Sequence, residues 1–267
     1  MPKKKENNIV NTGFVPGIYN YCDRWCERCK FQSRCMSFTM GKKLKERAKV
    51  DFDEELPDDD DVALSRLKSI FDSTYEVLRE LAEEKGIAIE DIYRAENIDK
   101  GFWGEDYEDL DDDDEELARK VEREDMICCN RIYETLADKC QESIYQKLDE
   151  EEEKGNGIKT KEVDEALVEI SWYLDLIHAK MKRALYGFHI YADKINAKQE
   201  ENDYNGSAKV ALLAIEISYQ AWSVLKNKVV YFQQDIERIL VVLEQMLRDL
   251  EHRFPDARNF CRPGFDQ

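Results

Sequence analysis

Hydrophobic residues recur along this chain at the three- and four-residue spacing of amphipathic α-helices, and no stretch alternates in the manner of a β-strand. The first periodic stretch predicts a helix over residues 62–85, with Gly86 as its C-terminal stop. Its apolar stripe consists of Leu64, Leu67, Ile70, Phe71, Tyr75, Leu78 and Leu81.

Two further helices are predicted on either side of a turn at residues 154–157, whose sequence is Lys-Gly-Asn-Gly. The second helix covers residues 115–153, and the third runs from Thr160 past Gly187 to about Lys198, before a loop over residues 199–206. Because so short a turn joins them, the two helices are expected to be antiparallel neighbours. The apolar stripe of the second helix is Leu117, Val121, Cys128, Ile132, Leu136, Cys140, Ile144 and Leu148.

No strong helix breaker interrupts residues 207–254, which predict either one long helix or two helices with a bend near Asn227. Pro255 ends this stretch, and residues 255–267 form an irregular tail. The sequence thus predicts an all-α protein, an antiparallel bundle of long helices over residues 62–254 with an N-terminal cysteine-rich metal-binding segment. The expected core includes Leu136, Ile170, Leu174, Leu212, Ile215 and Leu243.

Charge is distributed unevenly along the chain, with a basic N-terminal part and an acidic remainder. Residues 1–50 carry twelve Lys or Arg against four Asp or Glu, a net charge of +8, so the remainder of a chain of net charge −19 carries −27. An acidic linker at residues 51–61 and an acidic loop at residues 104–116 are typical of solvated segments whose carboxylates favour the helix N-termini that follow them. Overall acidity disfavours nucleic acid as a partner, and a protein partner is expected instead.

No apolar run approaches the ~18–20 residues that a membrane span needs, and the N-terminus lacks the apolar core of a secretory signal. We therefore expect a cytoplasmic protein with no membrane segment. Eight cysteines in a reducing compartment indicate metal binding more than disulfide bonding.

Four cysteines fall within fourteen residues, Cys22, Cys26, Cys29 and Cys35, in the sequence YCDRWCERCKFQSRC. Their spacing, C-x3-C-x2-C-x5-C, brings enough thiols together to surround one metal centre. Zinc sites usually draw on two separated C-x2-C pairs, whereas crowded cysteines are typical of iron–sulfur clusters, so a 4Fe-4S cluster is favoured and zinc is the alternative. Nearby cations would offset the negative charge of four thiolates, and they are Arg24, Arg28, Lys30 and Arg34.

The phrase YCDRWCERC with a nearby Arg-Cys resembles the N-terminal signature of a family of uncharacterised bacterial proteins of similar size. The resemblance covers about the first forty residues. It implies a cysteine-bound centre in a bacterial protein and carries no activity with it.

A second, weaker candidate lies in the bundle. Pairing the last helices about a loop near residue 202 sets His189 opposite Glu216, a carboxylate within an apolar run. A metal site there is conceivable, but a buried hydrogen bond between the two side chains is the better explanation.

Three hypotheses about function follow. The first is an iron–sulfur protein for electron transfer or redox sensing, and the second is a zinc-stapled interaction module without catalysis. The third is an enzyme that uses a carboxylate–histidine metal site in the bundle, so the sequence leaves open whether the protein is an enzyme.

Overall fold

The computed structural model describes residues 13–48, 60–84, 112–155, 160–191 and 202–266. Within these ranges the chain forms helices and 3-10 turns and no strand, so the protein is all-α. The helices are α1 (Met36–Ala48), α2 (Asp60–Glu84), α3 (Asp112–Glu122), α4 (Asp125–Glu153), α5 (Lys161–Tyr191), α6 (Asp203–Lys228) and α7 (Gln233–Arg253). None of the described helices is long and apolar enough to cross a membrane.

The chain folds as two compact units. The first contains the chain up to Tyr19 together with the stretch from Arg24 through α2, and the second contains Asn20–Asp23 together with α3 to α7 and the C-terminal tail. The helix predicted at residues 62–85 is therefore grouped with the cysteine segment and not with the later helices.

The second unit is built on an up-and-down bundle of α4, α5, α6 and α7. Asn130 bonds to His178, and Gln141 donates to the Leu167 carbonyl oxygen at 3.2 Å, which fixes α4 and α5 as antiparallel about the turn at Gly155. Gly155 adopts a φ of +74°, the left-handed conformation that commonly ends a helix. The antiparallel pairing predicted from the Lys-Gly-Asn-Gly sequence is thus confirmed.

The interior of the bundle is aliphatic and aromatic. Four of the six predicted core residues, Ile170, Leu212, Ile215 and Leu243, are at most 1% exposed, while Leu136 and Leu174 are half-buried. The largest fully buried side chains in this unit include Trp222, Tyr133, Phe254, Ile127, Ile144, Leu148 and Met181.

The stripe predicted for α4 is wrong in its first half, since Ile132 is 54% exposed and Cys128 is also exposed. A spacing of four residues advances 400° around the helix, so each step back from Cys140 turns ~40° away from the buried face. Three such steps carry Cys128 out of the core, and Tyr133 and Ala137 are buried instead. A break between Glu122 and Asp125 also divides the predicted helix into α3 and α4.

Three residues of the stripe predicted for α2 lie on the surface. Leu64, Phe71 and Tyr75 are all more than 45% exposed, whereas Val77 is 1% exposed and packs on Leu44 of α1. No helix is predicted from the sequence over residues 36–48, so the packing of the other face of α2 on α1 could not be predicted either.

The loop predicted at residues 199–206 is wrong from Asp203 onward, because α6 already begins there and Gly206 lies inside it. Residues 207–254 were predicted to form either one long helix or two. The structure has two, α6 and α7, separated by Val229 and a 3-10 turn at Val230–Phe232.

Candidate metal centre and its anchor on the bundle

Three of the four clustered cysteines stand at the ends of two 3-10 turns in the first unit. Cys26 opens the turn Cys26–Arg28, and the Cys29 N–H donates back to the Cys26 carbonyl oxygen at 3.1 Å. The second turn, Gln32–Arg34, ends in the same way at Cys35, whose N–H donates to the Gln32 carbonyl oxygen. The Gln32 side chain donates to the Cys26 carbonyl oxygen at 2.6 Å and so ties the two turns together.

The Cys29 sulfur is an acceptor in this arrangement. The Phe31 backbone N–H points at Cys29 Sγ, with an N-to-S distance of 3.4 Å. A backbone donor aimed at sulfur stabilises a thiolate more than a thiol, and hydrogen bonds of this kind set the electronic properties of metal–thiolate centres. All four cysteines of the cluster are half-buried.

Aromatic and cationic side chains accompany the turns. Trp25 is 9% exposed, and the Arg28 guanidinium stacks 3.5 Å from its ring centroid. The Lys30 ammonium lies 5.1 Å from the centroid of the Phe31 ring. Two of the four predicted cations are therefore held against aromatic rings of the segment by cation–π contact.

Among the residues that the structure describes, no three His, Cys, Asp or Glu side chains form a group that could hold a metal ion. The structure thus brings Cys26, Cys29 and Cys35 into one pair of linked turns without assembling a ligand set. The predicted convergence of the four sulfurs stays a prediction.

Cys22 belongs to the second unit, within a short strap, Asn20–Asp23, that lies along α5. The Lys180 ammonium donates to the Asn20 carbonyl oxygen at 2.7 Å, and the Trp172 ring N–H donates to the Asp23 carbonyl oxygen at 2.9 Å. The Tyr173 hydroxyl donates to Asp23 Oδ2 at 3.0 Å. Three donors from one helix therefore fix both ends of the strap around Cys22.

Tyr21 anchors the middle of the strap in an apolar notch. Its ring packs on Val210, Leu176 and Phe260, with the two ring centroids of Tyr21 and Phe260 4.8 Å apart. Burial and a hydrogen bond to the Asp203 carboxylate raise the pKa of Tyr21 well above its usual range, so the hydroxyl stays protonated as a donor.

Gly206 creates this notch. A Cβ atom at that position would lie 2.3 Å from Cε1 of Tyr21 and 2.8 Å from Cζ of Phe260, distances that no real Cβ contact shows. The absence of a side chain on α6 is therefore what admits both rings.

None of these anchoring residues was predicted from the sequence. The signals were present: Lys180 is a charged residue between the buried Ile177 and Met181, and Gly206 interrupts an otherwise regular helical pattern. A charge on a buried face indicates a specific acceptor, which here is the Asn20 carbonyl oxygen.

The second predicted site is wrong, because His189 and Glu216 have different partners. His189 Nε2 lies 2.8 Å from Glu124 Oε1, while Glu216 pairs with Arg258 at 2.7 Å. The contact between Gly187 and Tyr204 sets the register of α5 and α6. Glu216 lies about twelve residues, or ~18 Å, farther along α6 than Tyr204, so the two side chains are remote. The error came from assuming a loop centred on residue 202.

A polar cluster between α4 and α5 also escaped the sequence analysis. His178 Nδ1 lies 3.0 Å from Glu134 Oε1, and the Asn130 amide nitrogen contacts both side chains. Its role is to hold α4 and α5 in register, as the buried Gln141 does farther along the same interface.

The remaining cysteines differ from the cluster in their surroundings. Burial raises the pKa of Cys140 to about 12, and it raises that of Cys129 as well, with Asp249 adding to the effect. Both are therefore protonated, unreactive thiols. Cys128 and Cys261 are exposed.

Comparisons with known proteins found nothing similar, since no family model, no curated protein and no solved structure matches this chain.

Proposed function

We propose that the protein binds a metal centre through Cys22, Cys26, Cys29 and Cys35, that the centre is a 4Fe-4S iron–sulfur cluster, and that the cluster serves electron transfer or redox sensing. The observation that carries the proposal is the pair of linked turns, in which three cysteines stand at turn ends and a backbone N–H is directed at Cys29 Sγ.

The local chemistry supports thiolate ligands. The two turns carry three thiols and are tied together by the Gln32 side chain, and the Phe31 N–H directed at Cys29 Sγ favours a thiolate there. The basic charge of residues 1–50 favours the net negative charge that four thiolates leave on a cluster. Half-burial of the cysteines is compatible with electron exchange with a protein partner.

Zinc is the second candidate, and the strap supports it. Three hydrogen bonds and the Tyr21 ring hold the residues around Cys22 on the bundle. Rigid fixing of this kind is what a structural metal staple requires, and such a protein would be a non-catalytic module for binding another protein.

Anaerobic purification followed by a visible spectrum and metal analysis distinguishes the two candidates. A brown protein with about four iron atoms and four sulfides per chain supports the cluster, and a colourless protein with about one zinc supports the staple. Cys29→Ser should remove the metal in either case, and Cys128→Ser is the matched control because Cys128 is an exposed helical cysteine. A metal-free wild type, or full metal in Cys29→Ser, would refute the proposal.

A further inference from the structure

The C-terminal tail folds back on the bundle and covers the strap. After Phe254 the chain makes a 3-10 turn at Ala257–Asn259, and Phe254 and Ala257 are at most 1% exposed. This turn places the Phe260 ring against the Tyr21 ring. Tyr21 thus lies between α6 on one side and a tail residue on the other.

One lysine ties the tail in place. Lys209 on α6 donates to the Phe260 carbonyl oxygen at 2.6 Å and pairs with Asp266 Oδ2 at 2.7 Å. Arg262 completes the tie, because its backbone N–H and its guanidinium both contact the Asp266 carboxylate. Lys209 and Asp266 are mostly buried, with 16% and 22% of their side chains exposed.

A second tie connects the tail turn to the bundle. The Arg258 guanidinium contacts Glu216 of α6 and Glu251 of α7, each at 2.7 Å. These two ion pairs are partly exposed, so each contributes less to stability than buried packing does.

We propose that residues 258–266 are a latch that holds the strap Asn20–Asp23 closed and thereby positions the Cys22 thiol. Phe260 is the part of the latch that covers Tyr21, and Lys209 is the residue that keeps it closed. The importance of Cys22 rests on the proposed metal function, whereas the closure of the strap by the tail does not. Lys209 and Phe260 are accordingly positioning residues.

A latch differs from ordinary core packing in what its opening exposes. When the tail lifts, Tyr21 loses the contact with Phe260, while the strap keeps its bonds to α5, the packing of Tyr21 on Val210 and Leu176 and the Tyr21 hydrogen bond to Asp203. Cys22, half-buried in the closed state, then becomes more accessible to thiol reagents while the helices remain intact. Binding of a metal to Cys22 would in turn favour the closed latch, since coupling between two sites is reciprocal.

The test measures the alkylation rate of Cys22 by N-ethylmaleimide in the metal-free full-length protein, resolved by peptide mass spectrometry. Lys209→Met removes both bonds of the tie and keeps the apolar stem, and Phe260→Ala removes the covering ring. The matched control is Lys226→Met. Lys226 lies on the same helix as Lys209, and its substitution removes a surface ion pair with Glu237 of α7. Exposed Cys128 serves as the internal reference, and circular dichroism verifies the fold.

Both latch variants should alkylate Cys22 about tenfold faster than wild type, a ratio that corresponds to ~1.4 kcal/mol of lost closing free energy. Lys226→Met and the rate at Cys128 should not change. If Cys22 were alkylated at the wild-type rate in both variants while their helicity stayed intact, the latch proposal would be overturned.

A titration with Zn²⁺ alone separates the latch from the metal function. If Lys209→Met weakens Zn²⁺ binding by a factor similar to its effect on alkylation, the latch positions Cys22 for the metal. Unchanged Zn²⁺ affinity in a variant with fast alkylation would overturn the positioning role. If wild type binds neither Zn²⁺ nor iron, the proposed function fails, while the alkylation rates still decide whether the tail closes the strap.

Discussion

At the scale of single residues, Gly206 and Asp266 connect the strap and the tail to the bundle. Gly206 leaves the space that Tyr21 and Phe260 fill, and Asp266 is the carboxylate on which the Lys209 and Arg262 contacts converge. Neither residue belongs to the cysteine cluster, yet both determine how firmly the residues around Cys22 are held.

Gly206→Ala should have two opposite effects. Alanine stabilises a helix interior by ~1 kcal/mol relative to glycine, but the added Cβ would overlap the Tyr21 ring, which must leave its notch. We expect the helices of the bundle to keep their thermal stability while hydrogen exchange accelerates at residues 20–23. Gly41→Ala is the control, because nothing lies within 4 Å of its added Cβ. Unchanged hydrogen exchange at residues 20–23 in Gly206→Ala would contradict the role of Gly206 in making room for the Tyr21 ring.

The tail should be held less firmly in acid. The Arg262 contacts, followed by those from Lys209, lower the pKa of Asp266, so its carboxylate stabilises the folded tail above the ordinary Asp pKa of ~3.9. This stabilisation falls as the pH drops below that value toward the folded-state pKa. Proteolysis of the tail should therefore be slow at pH 7 and faster near pH 3, whereas Asp266→Asn should be cleaved readily at both. If the rate of tail proteolysis depended on pH in the same way in wild type and in Asp266→Asn, this role of Asp266 would be contradicted.

At the scale of helices, the junction between α3 and α4 depends on Glu124. Its carboxylate contacts His189 at 2.8 Å and Arg253 at 3.1 Å, so one side chain links the start of α4 to the ends of α5 and α7. The aromatic rings of Phe188, Tyr204 and Phe254 surround this end of the bundle.

Glu124→Ala should lower the free energy of unfolding by ~1–3 kcal/mol, since it leaves two largely buried cationic or hydrogen-bonding partners without their acceptor. Glu115→Ala breaks an exposed pair with Arg119 on α3 and should cost no more than ~0.5 kcal/mol. Urea titration monitored by circular dichroism measures both values. Equal losses of unfolding free energy in the two variants would show that the contacts of Glu124 do not stabilise the bundle more than an exposed ion pair does.

Periodicity predicted the existence and the type of the long helices, and the Gly155 turn predicted how α4 and α5 pair. It could not predict the phase of α4, because fixed steps of four residues drift around the helix, as the exposed Ile132 demonstrates. It could not predict which face of α2 is covered either, since that depends on α1. The spacing of Met36, Met40 and Leu44 at four residues was the available signal for α1.

At the scale of the whole molecule, the chain joins a small cysteine-bearing unit to a larger helical bundle. The first unit has few buried hydrophobic residues in its described part, namely Ile18, Trp25, Leu44, Val77 and Ala82, whereas buried residues line α4 to α7 throughout. A unit with so little apolar burial gains most from a metal. The cysteine spacing could be found in the sequence, but the strap and its anchors could not, since they depend on contacts 149 to 160 residues apart.

Replacing Cys26 and Cys29 by Ala should therefore abolish metal binding and accelerate hydrogen exchange over residues 13–48, while exchange in α4 to α7 stays slow. The matched control is Cys128→Ala with Cys261→Ala, which removes two exposed cysteines outside the cluster. Unaltered protection of residues 13–48 after metal loss would rule out a structural contribution. Melting of the bundle as well would mean that the centre supports the whole molecule.

X-ray absorption at the iron and zinc edges of anaerobically purified wild-type protein shows directly whether cysteine sulfur atoms bind a metal. We expect a stoichiometric metal surrounded by about four sulfur atoms at ~2.3 Å, with iron neighbours at a further distance if the centre is a cluster. A first shell of nitrogen and oxygen, or the absence of any stoichiometric metal, would contradict it.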